Sequence, residues 1–396
     1  MLAEIFTHCV DPTTPLDQVE SGEWAISRVC RKWRGVAIAR PYLWSHFVFP
    51  VAGPEKALRR LERISKIKLE RTNNTAPLFV RFRNQGSRGA GILGMLLACS
   101  AQWREITFDD ERDVFRFLKH GLRAAFPQLR KLELDSSDPL LHGEDESTRF
   151  DMITSLPALT DVSMNLHYQS LPPQLHLPWS QLRCCVLRDF KMSDVLRIIS
   201  LLPLAASVSA MDLEPGSRPA TTIESRIGAL ELHGFILDSI NFLDMLRAPS
   251  LKKLVLSRAY CYNKTGQLAL FLGRSGCTLE HLRIESGSNF SILEILRLTG
   301  MKGVVRLDLD YITYLRNVLE LLDRGDSSLV PNLRTLVWRK RPDFDEQEMV
   351  IMGLLSHRNP SVRRLPFARG SFLKRFLVDW MLLFWRNRRN TSVTCK

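Results

Sequence analysis

Leu251-Lys252-Lys253-Leu254-Val255-Leu256 (LKKLVL) carries apolar side chains at its first, fourth and sixth positions. The last two alternate with a period of two, so the phrase reads as a short strand with one buried face. The same form starts at Trp103, Leu129, Leu159, Leu182, Val208, Ile227, Leu279, Val304 and Leu333, making ten phrases at intervals of 19 to 30 residues. LRKLEL, LEHLRI, VVRLDL and LRTLVW are the clearest of the others. One such strand cannot bury its apolar face alone, whereas stacked neighbours complete a continuous core. A weaker phrase, Pro77 to Phe82 (PLFVRF), sits 26 residues ahead of Trp103 and reads as a first turn.

Between phrases the period becomes helical. Val114, Phe117, Leu118 and Leu122 fall at i, i+3, i+4 and i+8. Val195, Leu196, Ile199 and Leu202 nearly repeat this behind Ser193, read as an N-cap, and Ser239 precedes Ile240, Phe242, Leu243 and Leu246 before Ala248-Pro249 stops the run. The expected fold class is therefore α/β: a curved solenoid of strand-helix units, strands concave and helices outside. A mean spacing of about 26 residues is similar to that of leucine-rich repeats.

Composition agrees with a folded interior: 396 residues, 45% hydrophobic and 24% charged, suffice for one solenoid plus a smaller domain. The start, MLAEIFTHCV, lacks a basic segment and carries Glu4 within its apolar stretch, so no secretory signal is expected. The eight cysteines form neither a C-x-x-C pair nor a regular framework and read as thiols of a reducing compartment, cytoplasm or nucleus. Phe372 to Trp385, 14 residues with Lys374, Arg375 and Asp379 inside, falls short of the ~20 apolar residues that a spanning helix needs. No transmembrane segment is expected, and this stretch reads as a final amphipathic helix.

Residues 1–50 carry a different pattern. Leu2, Ile5, Phe6 and Cys9 lie at i, i+3, i+4 and i+7, one face of a helix. After a polar loop, Trp24, Ala25, Ile26, Val29, Cys30, Trp33, Val36 and Ala37 mark a second helix, and Pro41 interrupts before Leu43 and Trp44. Together these pieces form a small all-α bundle, which buries too little to be robust alone. Leu58, Leu61 and Ile64 then suggest a linker helix within 51–76, followed by the solenoid over 77–342 and a basic, hydrophobic tail over 343–396.

The N-terminal residues resemble an F-box. Val29-Cys30-Arg31-Lys32-Trp33-Arg34 is similar to that family's V-C-x-x-W-R signature, Pro41-Tyr42-Leu43-Trp44 to its P-x-L-W, and Leu2-Ala3-Glu4-Ile5-Phe6 to its first helix. The usual Leu-Pro opening is not in the chain, whose Met1 falls inside that first helix. With LERTNNTAPLFVRF, SAQWREITF and RSGCTLEHLRI, the resemblance over residues 1–340 is to F-box proteins with leucine-rich repeats from mushroom-forming fungi. It implies a substrate receptor of an SCF-type ubiquitin ligase, docking on a Skp-type adaptor and through it on a cullin scaffold. Adaptor contacts are then expected at Leu2, Ile5, Phe6, Cys9, Leu43 and Trp44, with Val29, Cys30 and Trp33 either contributing or holding the bundle together.

Catalytic chemistry is not indicated. The nine histidines are scattered with no H-x-x-x-H pair, and there is no G-x-S-x-G, phosphate-binding loop or dinucleotide fingerprint. No enzyme activity, cofactor or metal is expected.

The net charge of +13 suggests a polyanion partner or membrane association as another function class, but an excess of 9 positive charges lies between Arg334 and Lys396. On the concave face, the third, fifth and following positions of the ten phrases hold eleven acids against six Lys and Arg. An acidic lean disfavours nucleic acid there, since phosphate binding depends on Lys and Arg. The expected target is instead a basic peptide or protein held by Asp212, Glu231, Glu285, Asp308 and Asp310. Readings as a repeat scaffold without ligase assembly, or as a basic polyanion- or membrane-associated protein, stay open.

Overall fold

Apolar side chains at the fourth position of successive phrases fall into one register. Phe47, Val80, Ile106 and Leu132 begin a row that continues through Val162, Cys185, Val208, Leu230, Leu254, Leu282 and Leu307 to Leu336, each the Cα partner of the next. All are buried. The computed structural model in which this row is seen describes residues 2–20, 22–50, 54–83, 90–109, 125–135, 156–165, 177–214, 221–234, 242–257, 265–285, 292–310, 330–339 and 349–352.

The row is carried by β1 (His46–Val48), β2 (Leu78–Phe82), β3 (Trp103–Phe108), β4 (Lys131–Asp135), β5 (Asp161–Asn165), β6 (Cys184–Arg188) and β7 (Ser207–Met211). After β8 (Ile223–Glu224) come β9 (Ala229–His233), β10 (Leu246–Arg247), β11 (Lys253–Ser257), β12 (His281–Glu285), β13 (Arg306–Asp310) and β14 (Thr335–Arg339). Except for β8 and β10, which pair with each other, these twelve strands form one parallel sheet in chain order, closed by the antiparallel β15 (Met349–Met352). Chain-order pairing of parallel strands makes the α/β fold solenoid-like. Along its start, the rings of Phe49, Phe82 and Phe108 stack at centroid distances of 4.8 and 5.2 Å, inclined by only 6° and 4°.

Two stretches depart from the expected pattern. The sheet begins at His46–Val48, within the stretch expected to be all helical, because β1 pairs in parallel with β2. At β7 the row runs through Val208 and Ala210, so the phrase is shifted by three residues from the expected Val208, Met211 and Leu213. Asp212 consequently leaves the strand. It takes φ 49°, as Asp189 does after β6 (φ 53°) and Gly234 after β9 (φ 111°), and turns the chain out of the sheet. Asp tolerates this left-handed conformation better than most residues.

The segments connecting the strands include α5 (Ala90–Leu97), α6 (Met192–Leu201), α7 (Thr265–Ser275), the short α8 (Ile292–Leu296) and 3₁₀ turns at Ser100–Gln102, Trp179–Gln181 and Thr299–Gly303; numbering runs on from the four N-terminal helices below. Helix α6 starts one residue before the expected cap: Lys191 is its N-cap, with no side-chain hydrogen bond, and Ser193 lies inside it. Near Phe242 the helical turn ends before Leu246, which belongs to β10. The helix expected over Val114–Leu122, Ser239 and Ile240, and residues 353–396 of the tail lie outside the described residues.

Helices α1 (Leu2–Cys9), α2 (Gly22–Val29), α3 (Arg31–Ile38) and α4 (Glu55–Arg71) precede or flank the first strands, with a 3₁₀ turn at Pro41–Trp44. The single helix expected over Trp24–Ala37 is broken at Cys30. That residue is extended (φ −159°, ψ 171°), and its Sγ accepts the Trp33 N–H at 3.4 Å as the N-cap of α3. Phe6, Ile26, Ala37, Leu43 and Trp44 form a buried cluster of their own, with Phe6 and Trp33 rings 5.1 Å apart. Helix α4 then joins this cluster to the sheet, burying Leu58, Leu61, Ile64, Ser65 and Lys68 along one face.

Candidate functional site

The junction between the helical cluster and the sheet is polar at its centre. Lys68 Nζ meets Glu23 Oε1 at 2.7 Å, with side chains only 4% and 8% exposed, and donates to the His46 carbonyl. Burial pushes the Lys68 ammonium down while Glu23 pulls it up. Arg71, one turn on, lays its guanidinium over Trp44 at 4.1 Å and Trp24 at 4.8 Å. A buried pair contributes little net stability, but breaking it leaves an uncompensated charge, so loss of either partner penalises the contact between α2 and α4.

On the helical cluster, burial divides the residues assigned to an adaptor. Phe6, Leu43 and Trp44 are core, and the Trp44 indole donates to the Ala37 carbonyl at 2.9 Å. Leu2 and Trp33 are half-buried, whereas Ile5 (47%), Cys9, Val29 (61%) and Cys30 are exposed. Part of the expected adaptor set is therefore internal: Phe6, Leu43 and Trp44 face inward because three short helices need large side chains to fill their centre, while Val29, expected either to contribute to the contact or to hold the bundle together, faces outward. Ile38 and Tyr42 add two further exposed apolar side chains.

The second candidate surface is the sheet face opposite the core, where the charges largely satisfy each other along single strands and across neighbouring ones. Arg81 and Arg83 of the first units reach Asp109 at 3.0 and 3.6 Å, and Lys131 reaches Glu133 at 2.7 Å. Lys253 bonds Glu231 at 2.6 Å. Arg306 and His281 converge on Asp308 at 2.8 and 3.2 Å, while Arg283 lies 2.7 Å from Asp310 and 4.0 Å from Glu285. Burial alone would raise the Asp308 carboxyl, but the hydrogen bonds from His281 and Arg306 outweigh it and hold the group at about 2.

Glu231 is held at about 2 by His233, against burial, and by Lys253. His233 Nε2 is 3.7 Å from Glu231 Oε2, an electrostatic contact too long for a hydrogen bond.

These contacts correct the expected target-binding set. Asp308 and Asp310 are buried, 2% and 1% exposed, and paired; Glu231 is paired; Asp212 is a turn residue off the face; Glu285 is half-buried beside Arg283. With Asp212 and Glu214 removed from the face by the register of β7, and Arg81 of β2 and Arg83 just after it included, nine acids stand against eight Lys and Arg. The acidic lean has nearly gone. What the sequence does not reveal is the middle of the face, where Cys184, Val186, Ser207, Ser209, Met211 and Ala229 are uncharged and Arg188 is exposed. Only strand register makes that neutral zone visible, since its residues come from three separate phrases.

Among the described residues no helix is long and apolar enough to cross a membrane, and no group of three or more His, Cys, Asp or Glu is placed to hold a metal ion. Comparison of the chain with protein-family models, curated proteins and solved structures gives no match.

Proposed function

We propose that this chain is the target-recruiting subunit of an SCF-type ubiquitin ligase, an F-box joined to leucine-rich repeats. The observation that carries the reading is a small helical cluster with exposed Ile5, Val29, Ile38 and Tyr42, fixed through Glu23 and Lys68 to a long stacked sheet. The V-C-x-x-W-R and P-x-L-W phrases of that cluster, at Val29–Arg34 and Pro41–Trp44, supply the family likeness. In this reading a Skp-type adaptor covers the exposed apolar side chains, a cullin scaffold follows, and the sheet face holds a target protein. The chain's contribution is proximity: a target held near the ubiquitin donor reacts at a raised effective concentration, with no bond made or broken by the chain itself.

Ile5→Asp combined with Val29→Asp tests it, because both side chains are exposed and the substitutions leave the core intact. Co-expression with a Skp-type adaptor and cullin should yield a ternary complex for the parent chain and loss of both partners for the variant at unchanged urea midpoint. Equal recovery of adaptor by the two would overturn the docking surface. Burial of Phe6, Leu43 and Trp44 in the chain's own core favours a second reading, a repeat scaffold that assembles no ligase. Absence of adaptor and cullin from the parent chain's complexes would decide for it.

A further inference from the structure

Arg188, Met211, His233 and Ser257 are successive Cα partners across β6, β7, β9 and β11, forming one row on the sheet face opposite the core. Three buried polar atoms in and beside this row lack a hydrogen-bond partner: Ser257 Oγ, Ser209 Oγ one row over on β7, and His233 Nε2, whose ion-pair contact with Glu231 Oε2 at 3.7 Å is too long for a hydrogen bond. Ser209 and Ser257 are 8% and 3% exposed. Buried polar groups are normally satisfied, so three orphans on adjacent strands mark a place where a partner group is missing. Next in the row, between Met211 and the neutral Asn165 of β5, stands Arg188, exposed and in no ion pair among the described residues, whereas Lys131, Lys253, Arg283 and Arg306 of the same face each hold a carboxylate.

We infer that this row is the docking site for an extended, largely uncharged segment of a target protein that presents one carboxylate to Arg188. The inference rests on the proposed function only in taking the partner to be a recruited target. Three strand spacings of ~4.8 Å span about 14 Å, the length of roughly four or five extended residues. Such a segment brings its own amide groups to His233, Ser209 and Ser257, and Met211 offers an adaptable apolar contact between the polar ends. Glu231 does not repel the carboxylate strongly, because Lys253 and His233 both lie against it. A lysine or arginine in the segment would find Arg188 opposed to it and the nearby carboxylates already engaged.

The test uses the full chain and labelled, acetylated and amidated pentapeptides of valine, serine and alanine carrying a single glutamate, glutamine or lysine at each position in turn. Fluorescence anisotropy should show at least one glutamate peptide bound roughly tenfold or more tighter than its glutamine counterpart, as a charge-assisted hydrogen bond provides, with lysine peptides weakest. Arg188→Glu should reverse the order of glutamate and lysine. Ser209→Ala with Ser257→Ala should weaken glutamate and glutamine peptides alike, since those hydroxyls face the backbone. Equal affinity for the three peptide kinds, an unchanged preference in Arg188→Glu, or no binding by any peptide overturns the inference. Adaptor recovery by Arg188→Glu should match the parent; loss of adaptor from the parent itself indicts the proposed function and not this site.

Discussion

His46 sits where the first strand meets the helical cluster, its ring stacked on Phe79 at 4.6 Å and edge-on to Tyr42 at 5.7 Å, with Ser45 Oγ 3.3 Å from Nδ1. Burial, and then the Lys68 ammonium nearby, lower its pKa from 6.5 to about 4, with Glu23 opposing. An unfolded chain protonates this imidazole near pH 6.5 and the folded chain only near 4. The stabilisation from keeping it neutral is thus complete above pH 6.5 and is lost as the pH falls toward 4. Between pH 7.5 and 5 the loss is on the order of 2 kcal/mol. His46→Phe keeps the stacking and removes the titration, so urea unfolding at the two pH values should show a difference smaller by about that amount. An undiminished difference would place the acid sensitivity elsewhere.

At the scale of elements, each unit is made by an in-register strand and the turn that leaves it. Gly234 shows what the turn demands. Its φ of 111° is poorly suited to a side chain, and an added Cβ would lie 2.4 Å from Asp212 Oδ1 and 2.9 Å from the Asp212 backbone nitrogen. The carboxylate can rotate away but the backbone cannot, so Gly234→Ala should cost about 2 kcal/mol or more in chemical denaturation. A cost near zero would mean that the turn between β9 and β10 relaxes freely.

The same turns explain what was legible beforehand. LKKLVL, LEHLRI and VVRLDL were read in their true register because Leu, Ile and Val stand at all three inward positions. At β7 the inward residues include the small Ala210, and Val208, Met211 and Leu213 mimic the pattern three residues late; Asp212 was thereby misplaced onto the binding face. Strand β1 escaped notice since three residues, His46-Phe47-Val48, carry no period and owe their conformation to pairing with a strand about thirty residues downstream. The ion pairs of Arg306 with Asp308 and Arg283 with Asp310 were invisible for a similar reason: a census of types counts charges, while only geometry says which ones cancel.

For the whole molecule, the helical cluster and the twelve parallel strands meet through α4, whose Leu58, Leu61 and Ile64 enter the main core and whose Lys68 and Arg71 engage Glu23, Trp24 and Trp44. In the proposed function, a target on the sheet face would in this way be kept at a fixed distance from an adaptor covering Ile5 and Val29, which is the property that a recruiting subunit requires. The central claim is that the cluster is a docking module for a Skp-type adaptor. Mixing the purified full chain with a purified Skp-type adaptor in equal amounts, and measuring mass by light scattering during size exclusion, tests it most directly. A single species with the summed mass of one chain and one adaptor is expected; two separate peaks at their individual masses, at micromolar concentration and moderate salt, would contradict the account.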